Sequence, residues 1–444
     1  MTEQNTQLPE AVPAGLGPSG ELRSRWDWVE AEIWTERMLT ALEIGVQGGK
    51  WYSLMDKVCA PATLRLAFAK VKANRGAAGV DHISVEEFAR HQEENLEKLS
   101  RSLRSKSFRP QAIRRHWINK LGSKEKRPLG IPTVRDRVVQ TALRMVLEPI
   151  FERDFAAHSY GFRPHRGCKD ALQQVDSLLK QDYHWVVDAD LKSYFDTIPH
   201  PSLLERVQEK VIDSCVLELL QAFLTARVME TAEGWVPEEG TPQGAVFSPL
   251  LSNIYLNPLD HLMAGQGFAM VRYADDFVIL CRTEQQAQQA LGQVQQWAEQ
   301  AGLRLHPVKT RIVEATLPGG FDFLGYHFER RKKWPRRKSL GKFKDAIRAQ
   351  TRRTHGHSLA RTIADLNRML VGWFEYFKPS DRYTFKRLDE WIRMRLRTIL
   401  RHRRGAKGRQ RGPDQVRWPN AFFAAQGLFS LIAAHNAVRQ SSSR

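Results

Sequence analysis

From Met270 to Leu280 the chain runs Met270-Val271, then Tyr273-Ala274-Asp275-Asp276, then Phe277-Val278-Ile279-Leu280. Two short apolar strands joined by a tight turn that carries two adjacent acids are the simplest reading. About eighty residues upstream, Val186-Val187-Asp188-Ala189-Asp190-Leu191 predicts another apolar strand ending in acid, followed by Lys192-Ser193-Tyr194-Phe195-Asp196. Elsewhere the apolar period is helical. Asp170 to Lys180, and Gln285 to Gln300 with Ala287, Leu291, Val294 and Ala298 on one face, predict helices packed on the sheet that these strands form. Ala364 to Phe374 and Leu388 to Arg397 predict two more, and Ser84-Val85-Glu86-Glu87 fits a capping box. Residues 1 to about 20, rich in Pro, Gly and polar groups, predict a flexible leader, and Trp26 to about Leu54 a helical segment.

The acids change the picture because of where they stand. Adjacent carboxylates closely flanked by β-forming residues lose hydration and repel each other unless a cation lies between them. Hard oxygen donors suit Mg²⁺, and two such ions roughly 3.5–4 Å apart serve nucleotidyl transfer. Asp190, Asp275 and Asp276 are the candidate ligands, three strand-borne carboxylates that can converge on one point. Taken singly, an Asp after a strand is more often a turn former or helix cap. The joint pattern favours the metal.

The net charge of +19 is unevenly placed. Residues 330–444 hold thirty Lys or Arg against seven Asp or Glu, a local +23, leaving the first 329 residues near −4. With Trp334, Trp373, Phe374, Tyr376, Phe377, Trp391 and Trp418 among these cations, the region suits a polyanion with bases that stack, and RNA fits better than a membrane. No apolar run reaches membrane-spanning length and no secretory signal begins the chain, so the cytoplasm is the expected location. Cys59, Cys168, Cys215 and Cys281 stand singly, without zinc or disulfide-framework spacing, and are expected to be free and mostly buried.

Further motifs follow in a fixed order: Asn74 to Asp81 (NRGAAGVD), Arg127 to Pro132 (RPLGIP), Ser159 to Pro164 (SYGFRP), Asp190 to Asp196, Gly240-Thr241-Pro242-Gln243-Gly244, Ser248 to Leu251 (SPLL), Tyr273 to Asp276 and Phe321 to Tyr326 (FDFLGY). On this ordered set the chain, from about Trp51 to its C-terminus, resembles the group II intron-encoded reverse transcriptases, or maturases. The resemblance implies an α+β, right-hand polymerase architecture: fingers and palm with antiparallel sheet, followed by an α-helical thumb, the maturase domain X. The implied divisions are a leader and N-terminal helix (1–45), N-terminal extension and fingers (46–165), palm (166–328), basic thumb (329–410) and a C-terminal tail packing on or extending it (411–444).

The resemblance also implies roles. Asp190, Asp275 and Asp276 hold two Mg²⁺ ions, for which Mn²⁺ can substitute. Lys120 and Arg127 clamp the triphosphate, although a hairpin one residue longer than usual lets Lys124 or Lys126 replace Lys120. Phe195 is a steric gate against a ribose 2′-hydroxyl, and Gln243 packs near the templating pair. Phe323, Leu324 and Gly325 form the primer grip, while Arg163, Arg401, Arg403 and Arg404 contact nucleic acid. Lys309 matches a palm lysine of the family, with a structural role equally open. Partners implied are group II intron RNA, RNA template, DNA primer and dNTPs. The sequence carries no zinc-supported endonuclease pattern, so a primer supplied from elsewhere is expected. Two other readings stay open: an RNA-binding splicing chaperone with an idle polymerase site, and a host-repurposed reverse transcriptase in repair or defence.

Overall fold

The computed structural model describes residues 23–119, 126–230, 233–235, 237, 239–241, 244–354 and 356–441. Among the described residues eleven strands build three sheets: β1 (Ile113–Asn119), β2 (Lys126–Ile131), β3 (Trp185–Asp190), β4 (Val228–Glu230), β5 (Glu233–Trp235), β6 (Ala269–Tyr273), β7 (Asp276–Cys281), β8 (Arg311–Glu314), β9 (Phe321–Phe323), β10 (Tyr326–Glu329) and β11 (Lys332–Pro335). The central sheet has the order β6-β7-β3-β8 and is antiparallel throughout. Its middle strands are buried on both faces, which is why Phe277 to Cys281 reads as an unbroken apolar run.

The two-residue period sorts those side chains between two cores. Val187, Ala189, Phe277, Ile279 and Cys281 join the large core that includes Ala287, Ala290, Val294 and Ala298 of the helix Glu284–Gln300. Val186, Val278 and Leu280 join the smaller core with Ala171, Leu172 and Val175 of the helix Cys168–Lys180 and with Phe321, Phe323 and Phe328 of the β9–β10 hairpin. Each fully buried Val, Leu or Phe contributes roughly 1.5–3 kcal/mol. Asp190 and Asp276 continue this second face beyond its apolar rows, with Asp188 on the same face opposite Val278.

The sheet β2-β1-β4-β5, which begins in the stretch expected to form fingers, departs from expectation in two ways. It is mixed, because β1 pairs parallel with β4. It also draws β4 and β5 from within the stretch read as palm, so that region is discontinuous in sequence. The N-terminal segment is not one helix either. Residues 26–34 form successive turns that still bury Trp26, Val29, Ile33 and Trp34, the Trp34 indole donating to the Met145 carbonyl at 3.1 Å. The helix Glu36–Ile44 then stops at Gly45, whose φ of 97° only glycine adopts readily. Ser84 caps the helix Val85–Arg90 as its spacing predicts, its hydroxyl accepting from the Glu87 N–H at 3.1 Å.

The third sheet runs to Pro335, past the expected boundary at 328, and helices follow it. Leu359–Phe377 buries Ile363, Leu366, Leu370, Phe374 and Phe377 at three- and four-residue spacing. Arg382–Arg403 answers with Phe385, Leu388, Ile392, Leu396 and Ile399, and Phe423 and Leu431 of the last residues complete the same core. Buried Asp389 accepts from the Leu431 and Ile432 N–H groups and the Ser430 hydroxyl, capping the last helix, Leu431–Ser441. Among the described residues no helix is long and apolar enough to cross a membrane. All four cysteines are free, two of them buried and two half-buried.

Candidate active site

The site begins with strand register. β3 and β7 pair so that Asp190 faces Asp276, and Tyr273 faces Asp276 across the next pair of strands, leaving Ala274 and Asp275 as a two-residue turn. Ala274 sits in the left-handed region at φ 58°, a conformation that a residue with a Cβ adopts at a cost of roughly 1–2 kcal/mol. Something must hold it there.

That restraint is Arg272, a residue absent from the sequence-derived candidates. Arg272 and Asp260 are wholly buried. The guanidinium makes a two-pronged pair with Asp260, with Nε 2.7 Å from Oδ1, and its Nη1 donates both to Asn253 Oδ1 at 3.0 Å and to the Ala274 carbonyl at 2.9 Å. Asn253 in turn donates to the Gly161 carbonyl at 2.8 Å. Gly161 lies so close that a Cβ on it would fall 2.2 Å from the Ala274 nitrogen. The Ser159-Tyr160-Gly161 motif and the helix Ser248–Gly265, through Asn253 and Asp260, thus meet at the turn that carries the acids. The signal available in sequence was an Arg inside an apolar strand, which demands a buried acid partner.

The acids crowd one another. Burial pushes the Asp276 carboxyl up to about 7, helped by the negative charges of Asp275, Asp188 and Asp190 and opposed by Arg336. Burial likewise lifts Asp188 to about 6, against Arg311, whose Nε lies 3.3 Å away. Asp188 was also not singled out, although its i, i+2 spacing from Asp190 puts both on one face. Lys309, left open between two roles, places Nζ 2.7 Å from Asp190 Oδ2. Among the described residues no three His, Cys, Asp or Glu side chains already stand together as a metal cage. The donor set nevertheless fits a hard divalent cation, because carboxylates gather at one end of the sheet and their mutual repulsion is among the causes that raise Asp276.

A stability prediction follows. A carboxyl whose folded pKa lies above its ordinary 3.8 carries more protons folded than unfolded. The chelator-treated protein should therefore lose stability as pH rises from about 4 to about 7, the penalty being complete above that window. Mg²⁺ should raise the melting midpoint more at about pH 8 than at about pH 5, as thermal melts will show. Equal shifts at both pH values would contradict the charge account.

Other expected site residues divide. Phe195 is half-buried against the large core, edge-on to Tyr194 at 5.4 Å, and its carbonyl accepts from the Thr241 N–H at 2.6 Å. Gly240 packs on the Asp196 backbone and Gly244 on the Gly130 carbonyl. Gln243 and Lys120, like Lys124, lie outside the described residues, and for Arg127 the backbone pairing with Ile118 is what is described. Leu324 and Gly325 form the β9–β10 turn, both at positive φ, as a type I′ hairpin needs. Tyr376 donates to the Leu324 carbonyl at 2.7 Å and the Arg336 N–H to the Gly325 carbonyl at 2.9 Å, while Phe323 is buried in the core.

Two nucleic-acid assignments need correction. Arg163 is buried, with its guanidinium committed to Glu152 at 2.7–3.0 Å and to the Ala156 and Ser159 carbonyls, so it serves the fold. Arg401 is mostly buried and paired with Asp414 at 3.1 Å, holding the loop that follows its helix, whereas Arg403 and Arg404 are exposed. The aromatic residues of the basic region are also largely structural. Phe374 and Phe377 are core, and Trp373 stacks on Phe343 with centroids 4.2 Å apart.

Comparison with known proteins agrees with this geometry. Residues 118–328 match the family model "Reverse transcriptase (RNA-dependent DNA polymerase)", and residues 340–418 match "Group II intron, maturase-specific domain". The chain is similar to the group II intron-encoded protein LtrA of Lactococcus lactis subsp. cremoris, 38% identical over 45% of this chain and 33% of LtrA. It is also similar to protein YkfC of Escherichia coli strain K12, 32% identical over 63% of this chain and 83% of YkfC. It thus spans about a third of LtrA's length and most of YkfC's. Among solved structures, a chain of the "Partial Cas6-RT-Cas1--Cas2 complex" is 25% identical, with a TM-score of 0.37, over 58% of this chain and 42% of that one. With a reverse transcriptase region leading into a maturase-specific region, and a relative matched over most of its length, the chain belongs to the group II intron reverse transcriptase and maturase family.

Proposed function

We propose that the chain is an RNA-directed DNA polymerase that extends a DNA primer on an RNA template with dNTPs, and that it binds and assists a group II intron RNA. The observation that carries this is the register that sets Asp190 against Asp276, with Asp275 in the adjoining turn. These three carboxylates would hold Mg²⁺, two ions in all, with Mn²⁺ able to replace it. When bound, such ions activate the attacking 3′-hydroxyl and stabilise the leaving oxygen. The chain's own residues do the rest. Arg272 fixes the turn, and Lys309 supplies counter-charge to Asp190. The Leu324–Gly325 turn, tied to Tyr376, would seat the primer end, and Lys120, Arg127 and Gln243 would receive the triphosphate and templating pair. The cationic region beyond residue 330 would hold RNA, and the proposed setting is the cytosol, in association with nucleic acid.

Phe195 gives the reading a specific test. If its half-buried ring blocks a 2′-hydroxyl, Phe195→Ala should admit ribonucleotides, lowering the dNTP over rNTP preference at least tenfold, about 1.4 kcal/mol of discrimination. Single-nucleotide incorporation on an RNA template measures it. Unchanged discrimination would make Phe195 a core aromatic only.

A further inference from the structure

A cavity of about 910 Å³ opens at the other end of the central sheet from the carboxylates. Its walls are the end of the helix Cys168–Lys180, the β10–β11 turn, the start of the helix Arg382–Arg403 and the last helix, Leu431–Ser441. The β10–β11 turn is anchored beside the beginning of β3. The Arg330 N–H donates to the Ala315 carbonyl, and the Ala315 N–H donates to the His184 carbonyl. Asp190 closes the opposite end of β3, and at about 3.3 Å per residue the two ends are roughly 17 Å apart. The cavity therefore lies outside the site where the primer end would react.

Its chemistry is uneven in sign. Seven Lys or Arg side chains line it against three Asp. The acids already have partners, Asp176 with Lys333, Asp182 with Arg331 at 3.8 Å and Asp381 with Lys332 at 3.8 Å. Net positive charge remains, contributed by Lys180 and Arg382 among others. The floor is apolar, with Leu179, Phe328 and Pro379, and on the rim stands Tyr383, 61% exposed while most rings of this region are packed. Cations that meet phosphates, beside an aromatic face that can stack a base, are the combination that single-stranded nucleic acid selects. Its volume lies within the roughly 300–1,000 Å³ of small-ligand sites, room for a few nucleotides of single strand. A lipid surface does not match its concave shape.

We propose that this groove is an RNA anchor, which holds a single-stranded stretch of RNA by its phosphates with Tyr383 stacked on a base, outside the path of the strand being copied. It rests on the reading that the protein works on RNA, but not on its polymerase activity.

The test uses the full chain and a labelled oligo(U) single strand, with the catalytic cleft occupied by excess RNA–DNA template–primer duplex. Lys180→Glu with Arg382→Glu should weaken oligo(U) binding at least tenfold and flatten its log–log salt slope by about 1.4, two phosphate contacts at about 0.7 each for single strands. Tyr383→Ala should weaken binding severalfold with the slope unchanged. Extension of a saturating pre-annealed template–primer should stay within about twofold of wild type in both variants. Unaltered affinity and slope in the double variant would overturn the proposal, as would an equal loss of extension, or duplex RNA bound through the same residues as tightly as the single strand. Loss of binding to anionic phosphatidylserine vesicles with oligo(U) binding intact would also overturn it, in favour of a lipid surface. Groove-dependent RNA binding by a wild type that extends no primer would sustain the anchor and refute the polymerase reading instead.

Discussion

Asp275→Asn combined with Asp276→Asn should reduce DNA synthesis at least about a thousandfold, some 4 kcal/mol of transition-state stabilisation, while RNA affinity stays within about twofold of wild type. Amides are poorer ligands than carboxylates for a hard divalent ion, so the variant should lose the Mg²⁺ that these residues are proposed to hold. The fold should not suffer. Asp276 is pushed up to about 7 by burial and by its acidic neighbours, so a neutral amide there removes a repulsion that the folded protein otherwise bears above neutral pH. The variant should therefore melt at or above the wild-type midpoint in chelator at about pH 8. Filter binding to RNA, primer extension and a melt on one preparation check all three statements. An equal fall in RNA binding would refute a division of labour between the carboxylate site and the basic region, and a lowered midpoint would refute the electrostatic account of the turn.

Arg272→Met should destabilise the protein by about 3–5 kcal/mol, because it leaves the Asp260 carboxylate buried without its partner. Adding Asp260→Leu removes that stranded charge, and the double variant should recover most of the stability in chemical denaturation. It should not recover activity. The Ala274 carbonyl loses its donor in both variants, and the left-handed turn that presents Asp275 keeps the packing of Gly161 but not its buried clamp. A double variant still at least about a hundredfold slow in extension, with unchanged RNA affinity, is the expected result. Full recovery of extension along with stability would show that the turn needs no clamp. A double variant no more stable than Arg272→Met would show that the cost lies in lost packing rather than in the unpaired acid. Arg272→Lys offers a milder version, since an ammonium keeps the charge but cannot fork onto Asp260 while also reaching Asn253 and Ala274.

What could be read in advance was local. The two-residue turn of β6 and β7 is legible because its apolar strands and its acids lie within a dozen residues, and Asp190 is legible because it ends the same kind of apolar run. The helix Glu284–Gln300 and the Ser84 cap follow from spacing alone. What failed depended on partners far away in sequence. The parallel pairing of Ile113 with Val228 joins segments more than a hundred residues apart, and no local period announces it. Arg163 and Arg401 look like solvent-facing cations until Glu152 and Asp414 are brought beside them. The Trp and Phe residues of the basic region fit either a helical core or a stacking surface, because a helix rich in Arg needs apolar residues at the same spacing to pack at all. Asp188 and Arg272, by contrast, were readable: one shares a strand face with Asp190, and the other is a charge in an apolar strand.

Primer extension by the wild-type chain on an RNA template with dNTPs, run with Mg²⁺ and again with chelator, decides whether these carboxylates copy RNA into DNA. Extension is expected with Mg²⁺, abolished by chelator and absent in the Asp275→Asn, Asp276→Asn double variant. A chain that binds the same RNA tightly yet extends no primer under either condition would contradict it, and would make this protein an RNA chaperone with an idle palm.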